Sequence, residues 1–195
     1  MNKTSRNIIL SFAIFLLIST RLRGSNNGGT ANPNNLRAFL KMIQWAEGTL
    51  NQPNPYAVTF AYSHIIKNFS DHPAITGEWD GHPLSDSLCR AAGVTPPCVS
   101  TAAGAYQFLR STWSGIKGRI PGIRFDRDGQ DMGATDLIDR KNALEDVLVG
   151  NLASAINKCN TIWASLPGSP YGQPVRTYAQ CEAFYLSQGG RIFSS

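Results

Sequence analysis

Few residues in this chain are placed to do acid–base chemistry, and one of them sits where a carboxylate is unusual. Leu40, Ile43 and Glu47 stand at i, i+3 and i+7, on the apolar stripe of a helical pattern that also holds Leu36 and Phe39. A carboxylate at the end of such a stripe loses hydration, which disfavours its charged form and raises its pKa. A carboxyl that keeps its proton near neutral pH is what a general acid requires. The competing reading is a glutamate that ends the helix and turns outward to water; position alone leaves the two even. A second cluster is STAAGAYQF, residues 100–108. Ala102, Ala103, Gly104 and Ala105 let a ligand or another backbone come close. Tyr106 offers a stacking surface and Gln107 an amide, a pair suited to sugars bearing N-acetyl groups. Ordinary core packing is the alternative for Tyr106, and a buried amide needs partners in any case.

Glycosidases commonly use two carboxylates. Asp71, Glu78, Asp80 and Asp86 are the candidates for a second, but all four lie in polar, loop-like sequence and read as surface charge. His64, His72 and His82 lack HExxH spacing and no CxxC motif is present, so neither a metal site nor a cofactor is expected.

These residues need elements to hold them. The first helix is predicted from Leu36, with Asn34 or Asn35 as its cap and Gly48 as its stop. Residues 54–69 are rich in β-branched and aromatic side chains and read as one or two short strands. Residues 70–99 read as a long irregular loop. Ser100 or Thr101 is placed to cap a second helix, with Tyr106, Leu109, Trp113 and Ile116 on one face. Further helices are expected over about 130–149 and 152–163, then a Pro/Gly loop over 166–174, then a last helix carrying Cys181, Phe184 and Tyr185. The sum is an α+β domain, mainly helical, with a small β lobe.

Composition narrows the function classes. The chain has 195 residues, enough for one ordinary domain, and 42% hydrophobic against 16% charged residues excludes disorder. The net charge of +5 is concentrated in residues 1–35, which carry Lys3, Arg6, Arg21 and Arg23 and no acid. The rest is nearly balanced, which argues against a nucleic-acid partner. Arg110, Lys117, Arg119, Arg124 and Arg127 form a local basic run, read as a solvated face in preference to a polyanion-binding surface. Residues 8–18 are an apolar run too short to span a membrane as an ordinary helix, preceded by positive charge. Residues 1–24 therefore read as a signal peptide, or as a signal-anchor that tethers the protein through 8–18, because Arg21 and Arg23 occupy the place of a cleavage site. Residues 25–35 read as a flexible linker and 36–195 as the folded domain. Export permits disulfides. Cys89 and Cys98 bracket a Gly- and Pro-containing loop that one bridge could staple, which would leave Cys159 with Cys181; four cysteines allow three connectivities, and sequence does not choose.

At Glu47 and STAAGAYQF the chain resembles the phage lambda endolysin family of lytic transglycosylases, which have a lysozyme-like fold with an active-site cleft. The resemblance is carried by FLKMIQWAEGT (39–49), SDHP (70–73), STAAGAYQF (100–108) and CNTIWASLPGSPYGQ (159–173), with QD (130–131) and IDRKNAL (138–144) between them. It implies that Glu47 is the single catalytic acid, that Tyr106 and Gln107 line the cleft, and that Tyr171 stands at the active site. It implies peptidoglycan glycan strands as substrate, a monomer, and a periplasmic or extracellular place of action. Residues 74–99 look like an insertion. Two alternatives remain: a hydrolytic muramidase of the same fold, and a non-catalytic wall-binding or virion protein that keeps it.

Overall fold

The computed structural model describes residues 31–172 and 174–193. The expected signal peptide or signal-anchor over 1–24, with its 8–18 run, and the expected linker up to residue 30 lie outside the described residues. No described helix is long and apolar enough to cross a membrane.

Helix α1, Pro33–Ala46, begins earlier than its apolar stripe suggests. Asn32 is the cap: its side-chain oxygen accepts from the Asn34 N–H at 3.0 Å. Pro33 takes the first helical position, where a missing N–H costs nothing. Asn35 is buried instead. Its Nδ2 donates to the Leu148 carbonyl at 3.1 Å and its Oδ1 accepts from the Arg191 N–H at 2.8 Å. Leu36, Phe39, Met42, Ile43 and Ala46 are buried, and α1 packs on the later helices α6, Leu144–Val149, and α8, Tyr178–Ser187. The sequence between contributes α4, Arg110–Arg119, α5, Arg127–Arg140, and α7, Leu152–Cys159. The single helix expected over 130–149 is two, because Asn142 turns left-handed (φ 53) after α5.

The minor lobe has less strand than expected. Residues 54–69 form two 3-10 turns, Pro55–Ala57 and Phe60–Tyr62, with a bridge between Val58 and Ile65. Asn54 and Pro55 start the first turn, and left-handed Ala61 and Tyr62 close the second, so no ladder can extend. The 70–99 stretch is more ordered than a loop. It holds α2, Pro73–Thr76, and α3, Asp86–Ala91, and pairs β1, His82–Pro83, antiparallel with β2, Val99–Ser100. A Cys89–Cys98 disulfide staples this stretch. The second expected bridge does not exist: Cys159 and Cys181 are free and buried. Pairing them by elimination assumed that every cysteine oxidises, whereas a buried thiol packs as a small hydrophobe. Burial pushes Cys159 up to about 12 and Cys181 up to about 11, so both are poor nucleophiles.

The SDHP motif is a strut between the lobes. Buried His72 shares a hydrogen bond with the Phe108 carbonyl at 2.9 Å. Asp71 accepts from Trp113 Nε1 at 2.9 Å and from Lys117. Trp113 stands edge-on to Phe125, with ring centroids 4.7 Å apart. The basic run is largely paired within the fold: Lys117 with Asp71, Arg119 with Asp136 and Arg124 with Asp126.

Candidate active site

The site grows from three consecutive residues at the end of α1, each bonded to a different segment. Glu47 Oε1 accepts the Ser165 hydroxyl at 2.6 Å. The Gly48 carbonyl accepts the Tyr62 hydroxyl at 2.8 Å. Buried Thr49 donates its hydroxyl to the Ala105 carbonyl at 2.7 Å. The acid is thus held against the loop after α7, the 58–62 turn of the minor lobe, and the 101–108 segment. Gly48 makes the corner possible, since its φ of 77° is a conformation L side chains rarely adopt.

Glu47 is partly buried, and desolvation pushes its pKa from 4.5 up to about 7, opposed by the Ser165 hydrogen bonds, which favour the carboxylate. Of the two readings of its position, the carboxyl takes the desolvated one and does not turn outward to water. Ser165 is a residue that sequence reasoning missed; its only signal was membership of the long WASLPGSPYGQ stretch. It is anchored in turn. The Arg176 N–H donates to the Ser165 carbonyl at 2.9 Å, and the Arg176 guanidinium lies over Trp45 at 4.4 Å. Trp45 stacks on Phe184 at 4.8 Å. Removing the Ser165 hydroxyl by Ser165→Ala should slow the reaction about tenfold, the effect of losing one hydrogen bond to a charged group. It should also raise the Glu47 pKa further, so the alkaline limb of the pH–rate profile should move to higher pH. A limb that stays in place would separate Ser165 from the acid.

The 101–108 segment is a turn and not a helix start. Gly104 (φ 77) and Gln107 (φ 48) are left-handed, and Ala103 bridges Phe108. Helix α4 begins only at Arg110, whose N–H donates to Thr101 Oγ1 at 3.0 Å. Gln107 is half-buried in this turn, with Nε2 donating to the Gly104 carbonyl at 3.0 Å. Thr49 brings this turn to the acid. Tyr171, half exposed, follows on the loop that bears Ser165, its hydroxyl donating to the Thr161 carbonyl at 2.9 Å.

Tyr106 does not offer the expected stacking surface. Its ring is 1% exposed. Its hydroxyl donates to Asp131 Oδ1 at 2.5 Å and accepts from Gln44 Nε2 at 2.9 Å. Tyr56 does the same, to the same carboxylate oxygen and the same amide, at 2.9 and 3.1 Å. Gln44 lies one turn before Glu47, so this network braces the helix that ends at the glutamate. Alternation of direction explains the split: in a tight turn Tyr106 points to the core and its neighbour Gln107 does not. Asp131 was the second residue missed; burial works to raise its pKa against the two hydroxyls and Arg127, and the net is upward.

Of the four candidate second carboxylates, two are engaged by hydrogen bonds within the fold and two are exposed. Burial tends to raise Asp71 and Glu78, but hydrogen bonds win and both sit below the usual range: Lys117, the His72 N–H and Trp113 hold Asp71, while His64 and the Lys67 and Asn68 N–H groups hold Glu78. Asp80 and Asp86 are exposed.

A sequence model of the Endolysin family matches residues 37–192. The chain belongs to the endolysin family. It is 31% identical over 156 residues to the endolysin of Escherichia phage P2, covering 80% of this chain and 93% of the relative. It is 32% identical over 164 residues to the endolysin of Escherichia phage lambda, covering 82% and 94%. The solved bacteriophage lambda lysozyme complexed with a chitohexasaccharide superposes with a TM-score of 0.68 at 29% identity, over 83% of this chain and 98% of that one. A second lambda lysozyme structure gives 0.65 at 28% identity, with the same coverage. The fold is lysozyme-like, and this endolysin is a glycosidic-bond-cleaving enzyme of cell-wall lysis.

Proposed function

We propose that this endolysin is a lytic transglycosylase acting on the β-1,4 bond between N-acetylmuramic acid and N-acetylglucosamine in peptidoglycan. The observation that carries the reading is a single carboxyl, Glu47, with its pKa near 7, while Asp71 and Glu78 are tied up elsewhere and Asp80 and Asp86 are exposed. The chitohexasaccharide bound by the lambda lysozyme is a chain of the same class of sugar, which supports a glycan in this cleft.

The steps follow from one acid. Ser165 occupies Oε1, which leaves Oε2 to carry the mobile proton. Protonated Glu47 gives that proton to the glycosidic oxygen, the C1–O bond of the muramic sugar breaks, and positive charge develops at C1. Glu47, now a carboxylate, takes the proton from the C6 hydroxyl of the same sugar, and O6 closes on C1. The products are a free N-acetylglucosamine 4-hydroxyl and a 1,6-anhydro end; the acid is regenerated and no water is consumed. A pKa near 7 suits a group that must both give and take a proton. Using an oxygen already on the substrate makes the second step intramolecular, a large entropic gain. Gln107 and Tyr171 would position the acetamide and the muramic ring.

Digestion of purified sacculi followed by mass spectrometry tests this. Muropeptides one water lighter than hydrolytic products, and resistant to borohydride, are expected. Reducible products of full mass would instead make the enzyme a hydrolytic muramidase.

A further inference from the structure

Ala61 and Tyr62 both have φ of 54°. Two consecutive non-glycine residues in the left-handed region are unusual, and for a bulky side chain the conformation carries a steric cost. Such a cost persists only where surrounding contacts enforce it. Here they do. The Phe60 N–H donates to the Ala102 carbonyl at 2.8 Å, and the Gly104 N–H to the Val58 carbonyl at 2.7 Å, so the turn is bound to the segment that carries Gln107.

The strained turn does not deliver Tyr62 to the core. Its residue surface is 49% exposed. Its hydroxyl is pinned to the Gly48 carbonyl, the residue next to Glu47, at 2.8 Å. A Cβ at position 48 would stand 3.3 Å from that hydroxyl, so the glycine leaves it room. The result is an aromatic ring that reaches from the minor lobe to the residue after the acid, fixed at both ends and open to solvent. A ring held in place beforehand loses little freedom when a ligand covers it.

We propose that Tyr62 is a substrate-binding residue, a stacking platform for one pyranose ring of the glycan beside the scissile bond. A β-linked N-acetylhexosamine presents an apolar C–H face that matches an aromatic face. The inference rests on the glycan reading above and adds to it a residue outside the four singled out from sequence.

The test measures binding of chitohexaose by titration calorimetry, using the full chain with Glu47→Gln so that substrate is not consumed. Tyr62→Ala added to that background is expected to weaken binding about tenfold. Tyr62→Phe, which keeps the ring and removes the hydroxyl, should stay within about twofold, and Tyr62→Trp should bind at least as tightly as Tyr62. Thermal midpoints check that each variant folds, and the Phe and Trp variants decide the matter should the Ala variant not fold. Two outcomes overturn the platform alone: unchanged binding in Tyr62→Ala, or a loss in Tyr62→Phe equal to that in Tyr62→Ala, which would assign the effect to the hydroxyl latch. No binding with Tyr62 intact would remove the glycan reading and the platform with it.

Discussion

Glu47→Gln is expected to lower lysis of permeabilised Gram-negative cells by about a thousandfold, because general-acid groups commonly contribute between a hundredfold and ten-thousandfold and the proposed course has this one act twice. The wild-type rate should fall as pH rises through about 7, where Glu47 loses its proton. Stability should fall in the same direction, over a lower range of pH. Glu47 titrates near 4.5 in the unfolded chain and near 7 in the folded one. Below 4.5 it is neutral in both states and makes no difference. Between 4.5 and 7 the unfolded chain ionises first, so rising pH takes stability away, and the loss is complete above 7. Glutamine does not titrate. The Gln variant should therefore match wild type in thermal midpoint near pH 4 and exceed it at pH 8. An active Gln variant would sink the assignment of Glu47. Equal midpoints at pH 8 would show that the carboxyl is not desolvated.

The second large effect is expected at Gly104, where an alanine should cost about 4 kcal/mol of stability. A side chain at φ 77° carries about 1–2 kcal/mol of strain. Its Cβ would also stand 2.2 Å from Gln130 Oε1 and 3.0 Å from Phe125 Cζ. Overpacking of that kind adds about 1–3 kcal/mol. Gln130 cannot easily give way. It is fully buried, its Oε1 accepts from the Ala105 N–H at 2.8 Å, and its Nε2 donates to the Tyr56 and Phe125 carbonyls at 3.0 and 2.7 Å. For a domain of this size the thermal midpoint should drop by about 10 °C. Surviving folded enzyme should also be slower, because Gln107 hangs from the Gly104 carbonyl. A drop below about 2 °C would mean that the turn relaxes freely.

The stretch over 74–99 adjoins the candidate site. Its β1–β2 pair ends at Ser100, one residue before the turn that carries Gly104 and Gln107. The Cys89–Cys98 staple therefore closes a unit joined directly to the site, and the His82 ring of β1 lies 5.6 Å from Phe60 in the turn that carries Tyr62.

What the sequence determined by itself was local and periodic. The stripe of Leu36, Phe39 and Ile43 announced α1 and made Glu47 conspicuous, because helical period and burial are properties of neighbours a turn apart. The short loop between Cys89 and Cys98 offered a bridge without choosing among the three connectivities, and the structure forms it. The family motifs pointed to Gln107 and Tyr171. Tertiary structure decided everything that depends on which distant groups meet. Ser165 lies 118 residues from Glu47 and acts on it through one hydroxyl. Tyr106 looked like a cleft aromatic until Asp131, Gln44 and Tyr56 closed around its hydroxyl. Cys159 and Cys181 looked like a pair until each packed as a buried thiol. The turn at 101–108 looked helical because small residues and a capping threonine fit a helix, yet Gly104 and Gln107 are left-handed there. In each case the deciding energy is burial or a hydrogen bond between segments far apart in the chain, and no local pattern carries that information.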